Sequence, residues 1–218
     1  MKIELRKDGL AEIEYSKGKR NFNKFVTIQS LIESLVSEQG LSTPLLPFGT
    51  RKYVKNESIH TIYMEIPEMK RHITYKNSDG KIIFQGSVPM PWGIFKMEFK
   101  EKIGSAGFTF NKNSSAIWAL ERPLVNSEDN LYFYPLPNVF SHSHICWGST
   151  FSSGDLNFEN LSMAGRVMDA FFSSNFNTDI SPRMNKYNRY EDLLRGIKDE
   201  AKFPKDVLAS LGKVNIIL

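Results

Sequence analysis

The chain has one cysteine, Cys146, and it sits in a segment crowded with groups that attack carbonyl carbon, move protons or bind metal. The segment reads Tyr134-Pro-Leu-Pro-Asn-Val-Phe-Ser-His-Ser-His-Ile-Cys-Trp-Gly148. A thiol reacts as its thiolate, so access and nearby charge decide whether it is used. The plain alternative is a small buried hydrophobe, the commonest fate of a free cysteine. Pro135 and Pro137 restrict the approach, so Asn138 is delivered by a chain with few alternatives. An asparagine after proline can also simply close an Asx turn. His142, His144 and Cys146 alternate, and on an extended strand they would face one side, where they could meet Zn²⁺. No fourth ligand follows at a recognisable spacing, so no metal is expected and the histidines read as members of a polar turn. His60 and His72 are candidate dyad partners for the thiol, though no local motif supports either. No Lys or Arg occurs from Pro123 to Gly165, while Glu128, Asp129, Asp155 and Glu159 are acidic. Carboxylates around the thiol would favour an approaching ammonium, which makes Asp155 an auxiliary candidate beside His142 and His144.

The elements that must position these groups can be read from periodicity. Lys2–Arg6 and Ala11–Tyr15 alternate about Asp8-Gly9, a hairpin pattern. Ile28, Leu31, Ile32, Leu35 and Val36 have helical spacing, predicting a helix over Thr27–Gln39 with Thr27 as N-cap and Gly40 as stop. Short strands are predicted at Arg51–Lys55, Ile59–Ile66, His72–Tyr75, Lys81–Gly86, Ile94–Phe99 and Ser115–Leu120, joined as an antiparallel meander. Asn77-Ser-Asp-Gly80 and Gly104-Ser-Ala-Gly107 supply turns, and Pro89 and Pro91 exclude the middle of a strand. An irregular stretch follows from Arg122 to Gly154, a length that usually has a function. Helices are then predicted from Phe158 to Ser174, over Arg189–Glu200 and over Pro204–Leu211. Helix, strands, loop and helices in that order specify an α+β fold.

Composition removes several classes of function. The 218 residues suit a single domain, with an N-terminal hairpin extension at 1–26, a core at 27–180 and a C-terminal helical extension at 181–218. Lys and Arg number 28 against 24 Asp and Glu, and a net charge of +4 without a concentrated basic patch does not predict nucleic-acid binding. One cysteine excludes an internal disulfide framework. The charged N-terminus has no signal-like apolar run and no stretch suits a membrane span, so a cytoplasmic protein is expected. There is no P-loop and no dinucleotide fingerprint, so the chain is not expected to bind ATP.

Pro137-Asn138-Val139, then Ile145-Cys146 with a Pro-to-Cys interval of nine, resembles the active-site signature of ubiquitin-conjugating enzymes. Leu136 stands where that family has histidine. Pro89-Met-Pro-Trp92, Trp118-Ala-Leu120, Tyr134-Pro-Leu-Pro-Asn138, Ile145-Cys-Trp-Gly148 and Phe171-Phe-Ser-Ser-Asn-Phe-Asn177 resemble, more narrowly, the prokaryotic ubiquitin-conjugating-like family D, the PRTRC system protein B family. The resemblance implies a ubiquitin-conjugating (UBC) fold with an N-terminal helix, an antiparallel meander, an active-site loop and C-terminal helices. It implies partners as well: a ubiquitin-like protein, a ubiquitin-activating-like adenylating enzyme and a JAB-type metallopeptidase. No cofactor is implied.

Carried onto this sequence, the resemblance makes Cys146 the thioester-forming nucleophile and Asn138 the donor that stabilises the oxyanion during transfer to an amine. Pro137 and Leu136 would support the loop, with Leu136 anchoring it by burial in place of the histidine. Two other readings remain open: an inactive adaptor that binds a ubiquitin-like protein without carrying it, and a metal or cysteine-hydrolase site built from the same histidines and cysteine.

Overall fold

A computed structural model describes residues 2–6, 8–17, 20–28, 30–31, 44–151 and 156–217. The chain divides into two compact units, Met1–Thr43 and Pro44–Leu218.

In the first unit, β1 (Lys2–Leu5), β2 (Leu10–Lys17) and β3 (Arg20–Thr27) form an antiparallel three-stranded sheet. The expected hairpin turns at Asp8-Gly9, where Gly9 has φ 82° and the Asp8 carboxylate accepts from Leu10 N–H at 3.2 Å. Left-handed φ is cheap for glycine because it has no Cβ. Thr27 caps the following turn as predicted, its Oγ1 accepting from Ser30 N–H at 3.1 Å. Ile28, Ser30 and Leu31 are helical, and the remainder of the predicted helix, 32–39, lies outside the described residues.

The second unit is built on β8 (Trp92–Glu101). One edge of β8 pairs along its length with β5 (Ile59–Ile66), which pairs in turn with β4 (Thr50–Asn56). Its other edge takes two strands end to end, β9 (Phe108–Phe110) and β10 (Ala116–Leu120). β11 (Asn130–Phe133) continues the sheet from β10, while β12 (Asn157–Phe158) borders β9. The intervening hairpin, β6 (Met69–Lys76) and β7 (Ile82–Met90), leaves this sheet and forms a second one with β13 (Asn175–Asn177), which runs parallel to β6. Pro89 lies one residue from the end of β7, an edge strand, where its missing N–H breaks no ladder. The core between the layers is aromatic: Phe95, Phe99, Phe110, Phe171 and Phe176 are all at most 2% exposed.

The expected α+β fold of UBC type, with its run of C-terminal helices, is overturned; of the expected N-terminal helix only Thr27, Ile28, Ser30 and Leu31 are described. The described residues are mainly strand and contain two α-helices of eight residues each, α1 (Gly165–Phe172) and α2 (Tyr190–Ile197). The helix expected from Phe158 breaks into three conformations because Phe158 pairs with Phe108 as β12, and a 3₁₀ turn at Leu161–Ala164 precedes α1. Burial at Phe158, Leu161, Ala164, Val167 and Phe171 satisfies a helical period without one continuous helix. Over Pro204–Leu211 the chain makes a 3₁₀ turn at Lys205–Val207 and then β14 (Ser210–Lys213), which covers the open edge of β11. A free strand edge is satisfied by pairing, and that long-range need outweighs a short apolar period. The meander also differs from expectation, since β5 pairs with β8 rather than with the next strand. No helix among the described residues is long and apolar enough to cross a membrane.

Candidate acyl-transfer site

The segment around Cys146 is a loop pinned at both ends and in the middle. Leu136 is fully buried, Val139 and Ile145 are 5% exposed, and all three belong to the main apolar core. Burying such side chains contributes roughly 1.5–3 kcal/mol each. Between them the chain turns tightly: Ser143 N–H donates to the Phe140 carbonyl at 2.8 Å, and Phe140 N–H to the His144 carbonyl at 2.9 Å. The returning arm docks on the start of β10 through Ile117 N–H to Ser143 O at 2.9 Å and Ile145 N–H to Ser115 O at 3.1 Å. Leu136 therefore sits in the core at the foot of the loop.

Trp147, immediately after the cysteine, fixes the far end. Its indole N–H lies 2.7 Å from Ser115 Oγ and 3.1 Å from the Lys112 carbonyl. Its ring packs among Phe95, Phe110, Phe151 and Phe171, with centroids 4.8–6.4 Å away. Cys146, between the buried Ile145 and Trp147, is itself partly exposed.

Cys146 and Asn138 face a common cleft of about 720 Å³. They are also joined through the main chain, since Cys146 N–H donates to the Asn138 carbonyl at 2.7 Å. Asn138 adopts φ 63°, a left-handed conformation that asparagine tolerates better than most residues. Its carboxamide closes no Asx turn. Instead, Nδ2 donates to the Asn175 carbonyl of β13 at 3.2 Å. This bond orients the amide and engages one of its two N–H groups. Pro137 is buried directly behind. The remaining walls come from β6 and the turn after it (Lys76, Asn77, Ser78), from the end of α1 (Ser173, Ser174), and from Asn177 and Asp179.

The other candidates lie elsewhere. His142 is exposed and stacks on Phe140 with an interplanar angle of 4°. His144 donates from Nδ1 to the Asn113 carbonyl at 3.3 Å. Neither lines the cleft, and among the described residues no three His, Cys, Asp or Glu side chains converge as a metal-ligand set. His142 and His144 stay close to each other, with ring centroids 4.8 Å apart, but Cys146 faces the cleft without them. His60 is held between Tyr53 Oη and Glu101 Oε1, both at 2.7 Å, and His72 is exposed on β6; neither reaches the cleft. Asp155 lies outside the described residues.

The acidic stretch is also relocated. Asp129 accepts from Val125 N–H at 2.7 Å, Asn126 N–H at 3.1 Å and Arg122 at 2.6 Å, bordering a separate hollow with Glu128. These contacts, the Val125 N–H foremost, hold its carboxyl below the ordinary aspartate value. Asp129 thus ties a turn, and among the described residues the carboxylate lining the cysteine cleft is Asp179, which is bonded to Asn177 at 2.7 Å. Sequence reasoning missed three contributors. Trp147 was visible as a neighbour of the cysteine but not as its anchor. Asn175 acts across 37 residues and Lys76 enters from another sheet, and no local signal marks either.

Two outcomes follow from these contacts. Leu136→Ala is expected to cost about 2–5 kcal/mol in denaturant unfolding, the range for emptying a buried leucine site. A loss below 1 kcal/mol would mean that the loop does not depend on this anchor. Because the native Asp129 carboxyl titrates below its unfolded value, it stabilises the fold at pH above about 4, and that contribution fades as pH falls through the lowered native value. Asp129→Asn should therefore lower the melting temperature at neutral pH and converge with the parent protein under acid. Equal differences at both pH values would refute this.

No curated protein and no solved structure gives a significant match to the chain. Residues 27–211 match prokaryotic E2 family D, which covers the cleft, the cysteine loop and both sheets of the second unit. The chain belongs to prokaryotic E2 family D.

Proposed function

We propose that the protein is a conjugating carrier that accepts a ubiquitin-like protein on Cys146 as a thioester and passes it to an amine. The observation that carries this reading is the pairing of Cys146 with Asn138 in one cleft, the two held in fixed relation by the 2.7 Å main-chain bond. In the first step the Cys146 thiolate attacks the carbonyl carbon of an incoming thioester. A new C–S bond forms, the donor's C–S bond breaks, and the donor leaves as a thiolate that takes a proton from water. The two thioesters are of similar energy, so the step needs an accessible sulfur more than strong activation. In the second step an amine attacks the Cys146 thioester, a C–N bond forms, and the thiolate departs. Negative charge builds on the carbonyl oxygen, and the second Nδ2 hydrogen of Asn138 is the donor suited to meet it. Because Asn175 already orients the amide, little reorganisation is required as that charge appears.

Leu136 does not weaken this reading, because the work of a loop-ordering histidine is taken by burial and by the Asn175 carbonyl. The donor in the first step would be an adenylating enzyme of the ubiquitin-activating type, consistent with a chain that has no nucleotide motif of its own. The test is the intact mass of the protein after incubation with its activating enzyme, the ubiquitin-like protein and ATP. A thiol-sensitive adduct on the native protein, a thiol-resistant one on Cys146→Ser and none on Cys146→Ala is the expected pattern. Binding of the ubiquitin-like protein with no adduct at all would replace the carrier by a non-covalent adaptor.

A further inference from the structure

We infer that Lys76 is an amine acceptor in cis for the acyl group carried on Cys146, so that the protein can modify itself within its own cleft. The inference rests on the carrier reading above. β13 runs parallel to β6 in a register that sets Asn175 beside Thr74 and Asn177 beside Lys76. Ile73, Tyr75 and Phe176 are buried on the core side of this pair. Strand side chains alternate, so Thr74, Lys76, Asn175 and Asn177 project from the opposite face. Asn175, Asn177 and Lys76 line the same 720 Å³ cleft as Cys146 and Asn138. Lys76 is partly exposed, and among the described residues it forms no ion pair, unlike Lys55 with Glu101 or Lys186 with Asp206.

The chemistry balances without another reactant. The ammonium of Lys76 releases a proton to water. Its nitrogen then attacks the thioester carbonyl, a C–N bond forms, and the C–S bond breaks. The thiolate returns to Cys146 and the amine's second proton leaves to solvent, so thioester and amine become amide and thiol. Confinement of both groups in one cleft raises the effective concentration of the amine far above that of a dissolved acceptor. The product is a stable amide at the cleft wall, where it would obstruct the next acyl group.

The experiment uses the full chain and a short glycine-terminated peptide thioester of mercaptoethanesulfonate as acyl donor, followed by intact mass and peptide mapping. The expected course is a thiol-labile acyl group on Cys146 that converts to a thiol-resistant one on Lys76, at a rate independent of protein concentration. In Lys76→Arg, which keeps the positive charge but does not deprotonate, the thiol-labile stage should persist while the resistant adduct falls at least about tenfold. Resistant acylation at Lys76 in Cys146→Ala would show direct attack on the donor and overturn the proposal. Labile adduct without resistant acyl on Lys76, or a conversion rate that rises with protein concentration, would overturn it too while leaving the carrier reading intact. Absence of any labile adduct would remove the carrier reading and this inference together.

Discussion

The hydrogen bond from Cys146 N–H to the Asn138 carbonyl spans the base of a small loop whose two arms, Val139 and Ile145, meet as a single bridge. Everything chemical about the site depends on that closure. It sets the separation between the sulfur-bearing residue and the amide-bearing one, and it explains why Asn138 accepts a left-handed backbone. A residue in that conformation normally costs free energy unless its surroundings over-determine it. Here they do: Pro137 and Val139 are buried on either side, and the carboxamide is tied to Asn175.

Closure in turn depends on the aromatic core. Trp147 places an indole between Phe110 and Phe171 and spends its one donor on groups at the start of β10, so the loop is fastened to the sheet by packing and by hydrogen bonds at once. Aromatic pairs with edge-to-face geometry add about 0.5–1.5 kcal/mol beyond area burial, and this tryptophan makes two, with Phe110 and Phe171. The cysteine between two buried neighbours is left partly exposed by the alternation of the extended chain. The backbone of the site is consequently tied on both sides of Cys146, while the cysteine itself stays partly exposed.

Much of the sheet was legible in the sequence. The boundaries of β5 were predicted to the residue, because alternating burial in Ile59–Ile66 imposes a period of two. The Asp8-Gly9 turn and the Thr27 cap were readable because each is decided by contacts within three residues. Of the helices predicted after Phe158, Arg189–Glu200 is present as Tyr190–Ile197, whereas the first is cut to Gly165–Phe172 and the last is replaced, since β12 and β14 are dictated by partners more than forty residues away in the chain. The expected UBC-type α+β architecture failed for the same reason. At the site, the pairing of Cys146 with Asn138 was implied by the resemblance to the ubiquitin-conjugating signature, and burial of Leu136 followed from its type. The donor role of Asn138 toward Asn175 was invisible, because a short polar side chain in a turn gives no hint of which distant carbonyl it will meet. Acidity near Cys146 in sequence was equally misleading: Glu128 and Asp129 belong to a different hollow.

The central claim is that Cys146 and Asn138 act as one acyl-transfer unit. Its most direct test is single-turnover discharge of the charged protein to free lysine, comparing the parent with Asn138→Gly. Glycine keeps the left-handed backbone while removing the amide donor, so the loop is spared and the chemistry is not. The account predicts a discharge rate lower by about 10²–10³, with thioester formation on Cys146 retained. Discharge at the parental rate would contradict it and reduce Asn138 to a structural residue of the loop.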